Sequence, residues 1–307
     1  MFEKWFVKDS LLKMLPEVRG KYIENAKLSK YTWFGVGGPA EVLFVPEDVD
    51  DLKTFLMRKP EAVPVTVIGG GSNLLIRDGG IPGVVIKLDS PAFCQVHFNG
   101  TEVTLGAGLK NADLKKKLIE KEVGGLEFIC SIPGSIGGLI RTNAGCFKKN
   151  VSEVLVKAHI MNDWGEIYEV DVEDFHFTYR SSMFPENWII IDVTLQGIKS
   201  SAEEIKKIIN EQAAYRKAHQ PINQKTAGST FKNPEGLAAW KLIDEAGCKG
   251  LKVGGAEVSD MHCNFLINRG TATAEDLEKL GELIVEKVKE KTAITLEWEV
   301  RRMGVKK

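Results

Sequence analysis

The chain has 307 residues, of which 43% are hydrophobic and 27% are charged, and its formal net charge is −1 at pH 7. This length is typical of about two domains with sizeable cores. The balanced charge excludes a global attraction to nucleic acid or to anionic membranes, and it leaves only a local basic patch open.

The start of the chain and its cysteines predict a cytoplasmic protein. Residues 1–30 are typical of a short amphipathic helix followed by a polar segment, and Glu3, Lys4 and Lys8 interrupt the apolar core that a signal peptide needs. No apolar run approaches the ~20 residues that span a bilayer. Five cysteines without a C-x-x-C spacing argue against a disulfide framework or a metal site and favour a reducing compartment.

The first predicted elements form a small α/β unit. A glycine-rich turn, T-W-F-G-V-G-G-P, leads into a strand at residues 41–45. Pro46 predicts the first turn of a helix with Leu52 and Phe55 on its apolar face. A buried strand at residues 65–68 follows, and this order of strand, helix and strand is typical of an α/β unit.

Two glycine-rich loops predict contacts with a ligand. The first, G-G-G-S-N at residues 69–73, follows a strand and can form a nest of backbone N–H groups suited to a diphosphate. It is not the Rossmann fingerprint, because Leu74 stands where the third glycine belongs. The second, I-P-G-S-I-G-G at residues 132–138, ends with N-A-G at 143–145. Together they indicate a long ligand such as a dinucleotide, with ordinary tight turns and close helix packing as the alternatives.

The region around these loops alternates like a series of strands. Asn99-Gly100, between residues 95–98 and 102–105, predicts a type I′ hairpin. Asn111 is predicted to cap a helix that carries Leu114 and Leu118. A second hairpin is predicted across residues 154–170, and a further strand at 188–195.

Arg180 lies in the segment F-T-Y-R-S-S-M-F, between aromatic and hydroxyl side chains. The arginine fork binds oxyanions bidentately, so this segment can serve as a clamp for a carboxylate or a phosphate. A surface arginine stacked on Tyr179 is the alternative.

The composition changes near Lys199, where Ser201 and Glu204 predict the capping box of a new helix. Beyond it, the loop A-G-S-T-F-K-N-P combines small residues with the donor groups of Ser229, Lys232 and Asn233, although a plain turn explains the same letters. Further elements are predicted at residues 237–247 (helix), 262–268 (strand), after Thr273 and Asp276 (helix), and 294–300 (strand). The last strand aligns Glu297, Glu299 and Arg301 on one face, which is normally solvated unless it lines a cleft.

Six motifs in this order carry a specific resemblance. They are T-W-F-G-V-G-G-P-A, I-G-G-G-S-N-L-L, I-P-G-S-I-G-G with N-A-G, Y-R-S-S-M-F, A-G-S-T-F-K-N-P and L-E-W-E-V-R. Over about residues 20–304 the chain resembles the UDP-N-acetylenolpyruvoylglucosamine reductase (MurB) family. It is similar to the shorter branch of that family, because there is no room between Phe184 and Trp188 for the substrate-covering tyrosine loop.

The resemblance implies a fold, a reaction and ligands. The fold is α+β, with a two-lobed FAD-binding (PCMH-type) α/β region at residues 1–62 and 63–199 and a C-terminal α+β substrate-binding domain at 200–307. The implied enzyme is a cytoplasmic, monomeric oxidoreductase that binds FAD non-covalently. It uses NADPH to reduce UDP-N-acetylglucosamine enolpyruvate to UDP-N-acetylmuramate for peptidoglycan, and it binds neither nucleic acid nor membrane.

The resemblance also implies residue roles. Arg180 matches the arginine that polarises the enolpyruvyl carboxylate, Ser229 the proton donor, Glu299 the acidic partner, and Asn233 a substrate contact. The implied FAD contacts are Gly69, Gly70, Gly71, Ser72, Asn73, Leu74, Pro133, Gly134, Ser135, Gly137, Gly138, Asn143 and Gly145.

Two positions depart from the family pattern, and two other functions compete with it. Gly35 stands where the family often has an arginine, and His219 where a lysine commonly precedes Gln-Pro. One competitor is an oxidase of the same FAD-binding fold, but such relatives often tether the flavin through a histidine, and residues 32–80 contain none. The other is a non-catalytic nucleotide-sugar-binding protein, against which the retention of Arg180, Ser229 and Glu299 argues.

Overall fold

The computed structural model describes residues 10–307, so the helix predicted at the N-terminus lies partly outside the described residues. Within them, Leu11–Met14 forms a short 3-10 helix. The polar segment that was expected to follow contains a strand, Lys21–Lys27, which the sequence analysis missed. No helix within residues 10–307 has both the length and the apolar character needed to cross a membrane.

The first lobe is built on a mixed four-stranded sheet whose two central strands, Pro39–Val45 and Ile81–Lys87, are buried on both faces. Its strands, in spatial order, are Lys21–Lys27, Pro39–Val45, Ile81–Lys87 and Val65–Ile68. The first pair is antiparallel and the other pairs are parallel. Val42 and Phe44 contribute to the main core and Leu43 to a smaller core on the opposite face, which explains why these strands read as continuous apolar runs.

Seven α-helices and six 3-10 helices lie in the described residues. The α-helices are α1 Val49–Arg58, α2 Leu114–Lys121, α3 Glu127–Ser131, α4 Ile136–Arg141, α5 Ala202–His219, α6 Ala239–Glu245 and α7 Ala274–Thr292. The 3-10 helices are Leu11–Met14, Leu28–Lys30, Pro91–Phe93, Asn111–Asp113, Val151–Glu153 and Val172–Phe175.

Side-chain caps determine where several helices begin. α1 begins at Val49 rather than at Pro46, because the Asp48 carboxylate accepts a hydrogen bond from the Asp51 backbone and caps the helix there. Thr273 and Asp276 form the predicted capping box of α7. The Asn111 cap was wrong: the Asn111 amide donates to the Ile132 carbonyl at 3.1 Å, and α2 begins only at Leu114.

The second lobe contains a five-stranded antiparallel sheet. Its strands, in spatial order, are Ile167–Asp171, Leu155–Met161, Ile189–Gln196, Glu102–Gly106 and Val96–Asn99. Both predicted hairpins are present. The type I′ turn was wrong, because Asn99 pairs with Glu102 and the two loop residues are Gly100 and Thr101, of which only Gly100 has a positive φ, +60°.

The packing of α5 bears on the domain limits. Ser201 Oγ accepts from the Glu204 backbone N–H and caps this helix, but the Glu204 side chain makes no return bond, so the predicted capping box is only half formed. Ile205 and Ile209 of the helix join the main core with the second lobe. The strands Val65–Ile68 and Ile81–Lys87 belong to the first sheet. The division at residues 62/63 and 199/200 stays a prediction, and this packing favours limits near 89 and 220.

The C-terminal domain has a hydrophobic core of its own, to which α6 and α7 contribute buried side chains. Its sheet consists of Lys252–Val253, Ala256–Val258 and Leu266–Asn268, so the strand predicted at 262–268 is shorter than expected. The strand predicted at 294–300 was wrong: the segment is extended, but among the described residues its only strand-type pairing is an isolated bridge between Trp298 and Phe231.

The end of the chain returns to the first lobe and connects the C-terminal domain to it. Arg301–Met303 pairs in parallel with Leu74–Ile76, directly after the first glycine loop. Beyond that strand, Arg77 forms a two-bond ion pair with Glu278 of α7, and the Asp78 carboxylate accepts from backbone N–H groups at the start of the same helix. Two further strand pairs are short, Gly145–Cys146 with Lys149–Asn150 and Val123–Gly124 with Ile198–Lys199.

Candidate active site

One cleft brings most of the predicted site residues together. It has a volume of about 1880 Å³ and is lined by both glycine loops and by Arg180, Ser229 and Glu299. Its lining contains ten lysine and arginine residues but only four aspartate and glutamate residues. The chain as a whole is nearly neutral, so this cleft is the local basic surface that composition left open, and its charge suits phosphorylated ligands.

Arg180 sits in a tight turn that directs its guanidinium towards Glu299. The turn is closed by reciprocal backbone hydrogen bonds between Thr178 and Ser181, of 3.0 and 3.2 Å. Arg180 is its third residue and has a φ of +56°, a conformation that costs a non-glycine residue about 1 kcal/mol. The Arg180 Nε atom lies 3.2 Å from Glu299 Oε1, and Nη2 donates to the Gly145 carbonyl at 2.7 Å.

Both interpretations of Arg180 from the sequence apply to this geometry. The guanidinium lies 5.1 Å from the centre of the Tyr179 ring, as expected for a stacked arginine. It also lines the cleft with one face paired to Glu299 and Gly145. A guanidinium held in this way has N–H groups left to bind an anion in the cleft.

Glu299 is held by its backbone on two sides. Its N–H donates to the Thr230 carbonyl at 2.8 Å, which ties it to the residue after Ser229. Its carbonyl accepts a hydrogen bond from the Asn73 side-chain amide at 3.1 Å. Asn73 was predicted as a cofactor contact, and in the structure its side chain joins the first glycine loop to the Glu299 segment.

Burial raises the pKa of the Glu299 carboxyl above its ordinary value of 4.5, and the nearby charges of Arg180 and Lys232 oppose this rise. The net effect is that folding disfavours the ionised form. A raised pKa gives stability that is present below the ordinary pKa and is lost as the pH rises through the value in the folded protein.

We therefore expect Glu299→Gln to melt at a higher temperature than the wild type at pH 8. Glutamine removes the buried charge and keeps an oxygen to accept from Arg180. The difference should shrink towards pH 4, because the wild-type carboxyl then becomes neutral. Thermal denaturation with saturating FAD at both pH values measures this, and the exposed Glu235→Gln is the control. Equal melting temperatures at pH 8 would contradict the expectation.

Ser229 lies half-buried on the wall of the cleft in a loop that is fixed from behind. The loop is held by Asn264, whose side chain exchanges hydrogen bonds of 2.9 and 2.8 Å with the Phe231 backbone. Thr230 N–H donates to the Asn264 carbonyl at 2.7 Å. The Ser229 hydroxyl makes no hydrogen bond to another residue within 10–307, so it is available to a ligand.

Two predicted contacts are not brought to the cleft. Asn233 is exposed, and its side-chain oxygen accepts from the Ala239 backbone N–H at 2.9 Å at the start of α6. Asn143 is buried, and its amide donates to the Thr178 carbonyl at 3.0 Å. Neither residue belongs to the cleft lining.

The two glycine loops touch each other, which explains their composition. A Cβ atom on Gly70 would lie 2.6 Å from the Gly134 Cα atom, and one on Gly134 would lie 2.7 Å from the Ser72 hydroxyl. Gly70 N–H donates to Ser135 Oγ at 3.1 Å, and Ser72 Oγ donates to the Pro133 carbonyl at 2.9 Å. Only glycine permits this approach of backbone to backbone.

The donor groups at this junction fit a diphosphate. Within residues 10–307, the backbone N–H groups of Gly71, Ser72 and Asn73 make no hydrogen bond to the protein. They lie in the cleft lining beside Lys87, a largely buried lysine whose ammonium donates to the Gly69 carbonyl at 3.0 Å. Free N–H groups beside a fixed positive charge are the chemistry that the two phosphates of a dinucleotide require.

Gly70→Ala is expected to weaken FAD binding by about tenfold to 100-fold. The new methyl group meets backbone, so one glycine loop must move, and overpacking of this kind costs about 1–3 kcal/mol. Titration of FAD into the apoprotein, followed by flavin fluorescence, measures the change. Gly100→Ala is the control: its φ of +60° makes alanine strained there, but its Cβ meets nothing within 4 Å and the residue lies on a hairpin outside the cleft, so FAD affinity should not change. An unchanged affinity in Gly70→Ala would contradict the assignment of this loop.

Sequence reasoning missed several cations of the cleft. Lys87 is the last residue of the apolar strand Ile81–Lys87 and lines the cleft. A lysine at the end of a buried apolar strand was the sequence signal that could have identified it as a site residue. Arg141 and Arg216 also line the cleft, and burial lowers the pKa of both guanidinium groups. The two departures from the family pattern, Gly35 and His219, are not part of the lining, and His219 stacks on Tyr215 at 4.2 Å.

Comparisons with known proteins agree with this arrangement. Residues 220–303 match the family model described as UDP-N-acetylenolpyruvoylglucosamine reductase, C-terminal domain, and residues 40–171 match an FAD binding domain. The two matches confirm the predicted fold class, an FAD-binding region followed by a distinct C-terminal domain.

Similar whole chains carry the same description. A UDP-N-acetylenolpyruvoylglucosamine reductase of Parvibaculum lavamentivorans is 48% identical over 97% of this chain and 96% of its own. One from Bradyrhizobium sp. is 48% identical over 95% of both chains. The crystal structure of UDP-N-acetylenolpyruvylglucosamine reductase (MurB) from Thermus caldophilus superposes with a TM-score of 0.80 at 34% identity, covering 94% of this chain and all of the other.

Proposed function

The chain belongs to the UDP-N-acetylenolpyruvoylglucosamine reductase family, and on that basis we propose that it reduces UDP-N-acetylglucosamine enolpyruvate to UDP-N-acetylmuramate in peptidoglycan precursor synthesis. FAD is its bound cofactor and NADPH its electron donor. The observation that carries the proposal is that Arg180, Glu299 and Ser229 line one basic cleft together with two touching glycine loops.

The two glycine loops and Lys87 would hold FAD, chiefly through its diphosphate. When bound, FAD supplies the hydride chemistry that links NADPH to the methylene carbon of the enolpyruvyl group. What the protein adds is binding, orientation and charge in the cleft.

Arg180 stabilises the charge that develops on the substrate. An enol ether accepts hydride poorly unless negative charge on its conjugated carboxylate is stabilised. A guanidinium that is already fixed by Glu299 and the Gly145 carbonyl needs little reorganisation to meet that carboxylate. Glu299 thus acts on Arg180, and partial burial raises the pKa of its carboxyl.

Ser229 donates the proton that completes the reduction. Hydride addition at the methylene carbon leaves an enediolate-like neighbouring carbon, which is basic enough to take a proton from a well-aligned hydroxyl. Serine stays protonated at neutral pH. Aspartate, with an ordinary pKa of about 3.9, would already be ionised there, and cysteine, at about 8.5, would be ionised in part, so each would be a poorer donor. The Ser229 hydroxyl makes no hydrogen bond to another described residue, so no such bond has to break before it donates its proton.

Turnover in D₂O with unlabelled NADPH tests this function. The product should gain one deuterium, on the carbon that bears the carboxylate, because that position takes its proton from a solvent-exchanged hydroxyl. Mass spectrometry and NMR of the nucleotide sugar measure it. Recovery of unchanged enolpyruvate, with NADPH consumed only in step with oxygen, would instead support the competing oxidase-type flavoprotein.

Two further parts of the proposal concern state and location. We propose that the protein acts as a monomer, because Arg180, Ser229, Glu299 and both glycine loops already meet within one chain. All five cysteines are free thiols, which supports the predicted cytoplasmic location. Light scattering of the purified protein tests the first part.

A further inference from the structure

Arg141 holds a loop rather than a ligand. It is the last residue of α4, after the second glycine loop, and its guanidinium donates to three backbone carbonyls, those of Phe184, Pro185 and Trp188, at 3.0, 2.7 and 2.5 Å. It also lies over the Phe184 ring at 4.8 Å. No carboxylate within residues 10–307 forms an ion pair with it. Desolvation, aided by the charge of Arg301, lowers the pKa of Arg141 to about 10.

The residues next to Arg141 hold the other end of the same loop. The Arg141 carbonyl accepts from the Ser182 hydroxyl at 2.9 Å, and the Asn143 amide donates to the Thr178 carbonyl at 3.0 Å. Between these two ties lies Arg180, whose Nη2 donates to the Gly145 carbonyl at 2.7 Å. The segment 141–145 therefore grips the 178–188 loop on both sides of Arg180.

The 178–188 loop is anchored near its middle by Phe184, which is buried in the main core, but its backbone is otherwise irregular. It contains no regular helix or strand, and it must keep Arg180 in the left-handed region at a φ of +56°. Met183, next to the Ser182 tie, is 73% exposed. A strained residue in an irregular loop keeps its conformation only when its surroundings determine it. Here the surroundings include the Thr178–Ser181 bonds, the Glu299 ion pair and the hydrogen bonds from 141–145.

We propose that Arg141 is a positioning residue for the reaction, with Asn143 serving the opposite end of the loop. Arg141 fixes the 178–188 loop so that the Arg180 guanidinium faces the cleft in one orientation. Asn143, which the sequence suggested as a contact of FAD, thereby receives a different role. The inference rests on the proposed function, because it assumes that Arg180 acts on the enolpyruvyl carboxylate.

An arginine suits this task for a geometric reason. The three carbonyls are spread along residues 184–188, and a planar fork reaches all of them from one side chain. Lysine would keep the charge but present its three N–H donors at a single point. Arg141→Lys should therefore be intermediate between the wild type and Arg141→Met.

The test separates the two half-reactions of the holoenzyme by stopped flow. In Arg141→Met, the return of flavin absorbance on adding the enolpyruvate should slow about 10-fold to 100-fold, while its loss on adding NADPH changes less than about twofold. Asn143→Gly, which keeps the positive φ and removes the amide, should show the same split. Arg58→Met, an exposed arginine on α1, is the matched control.

A second readout does not depend on activity. Amide hydrogen exchange of the apoprotein should be faster in peptides covering 178–188 in Arg141→Met than in the wild type or in Arg58→Met. In addition, Arg141→Met combined with Arg180→Lys should slow the enolpyruvate step less than the product of the two single effects, because both changes act on one guanidinium.

Several results would overturn the inference. One is an unchanged rate of the enolpyruvate step in Arg141→Met and Asn143→Gly. Another is a loss of rate that is equal in the NADPH and enolpyruvate steps. A third is a double variant with Arg180→Lys whose loss of rate equals the product of the two single losses. If Arg141→Met fails to fold, Arg141→Lys and Asn143→Gly decide the question by the same measurements. An enolpyruvate step that Arg180→Lys itself leaves intact would identify the proposed role of Arg180 as the failure.

Discussion

Ser229→Ala is expected to slow reduction of the enolpyruvate by about 10³-fold, the middle of the range that a positioned general acid supplies. The loss should fall on the return of flavin absorbance after the enolpyruvate is added. The step with NADPH should keep its rate, because it needs no proton from Ser229. Stopped-flow absorbance of the purified holoenzyme measures both steps separately.

The fold should not explain this loss. The Ser229 hydroxyl makes no hydrogen bond to another described residue, so alanine leaves no protein group unpaired. The control is Ser90→Ala, because Ser90 lies outside the cleft lining and its hydroxyl donates to the Glu47 carbonyl. A Ser229→Ala enzyme within about tenfold of the wild-type rate would fall below the range of general acid catalysis and would mean that another group or a water molecule delivers the proton.

Arg180→Lys is expected to slow the same step by about 10²-fold, comparable to the removal of one donor from a site that stabilises an oxyanion. Arg180 donates at once to Glu299 and to the Gly145 carbonyl while keeping other N–H groups for the substrate. Lysine keeps the charge but has no fork, so it cannot serve the protein and the substrate carboxylate from fixed directions.

The binding of the substrate should change less than its reduction. The enolpyruvate binds to the oxidised enzyme chiefly through groups that Arg180→Lys leaves intact, so its dissociation constant should rise by less than about tenfold. Arg58→Lys, on the exposed side of α1, is the matched control. If the dissociation constant rose about 10²-fold while the limiting rate of reduction stayed unchanged, Arg180 would serve binding rather than the chemical step.

Local signals in the sequence predicted helix starts well. The caps at Ser201 and Thr273 were confirmed because each needs only a side-chain oxygen and a backbone N–H three residues on. The prediction of Asn111 as a cap was wrong because its amide donates to a carbonyl 21 residues away, and no local sequence pattern indicates that bond.

Strand pairing was harder to predict than strand-like backbone. The alternation at residues 294–300 indicated an extended segment, and Leu296 and Val300 are indeed buried while Glu297 is exposed. Alternation does not tell whether a partner strand lies alongside. The regular pairing begins at the next residue, where Arg301–Met303 meets Leu74–Ile76 of the first lobe.

The residue types of the site were predictable, but the direction of each side chain was not. Arg180, Ser229 and Glu299 come together because their motifs lie on loops at one cleft. Asn143 and Asn233 carry the same amide chemistry as a ligand contact, yet each amide is used by a nearby backbone group. Whether an asparagine meets ligand or backbone depends on tertiary contacts.

An anaerobic spectral titration of the purified holoenzyme tests the central claim most directly. NADPH is added first and UDP-N-acetylglucosamine enolpyruvate second, while the visible flavin bands are recorded. The bands should fade with NADPH and return in full with one equivalent of the enolpyruvate, which establishes cofactor, donor and acceptor in one experiment. A protein that takes up no FAD, or flavin bands that fade and do not return with the enolpyruvate, would contradict it.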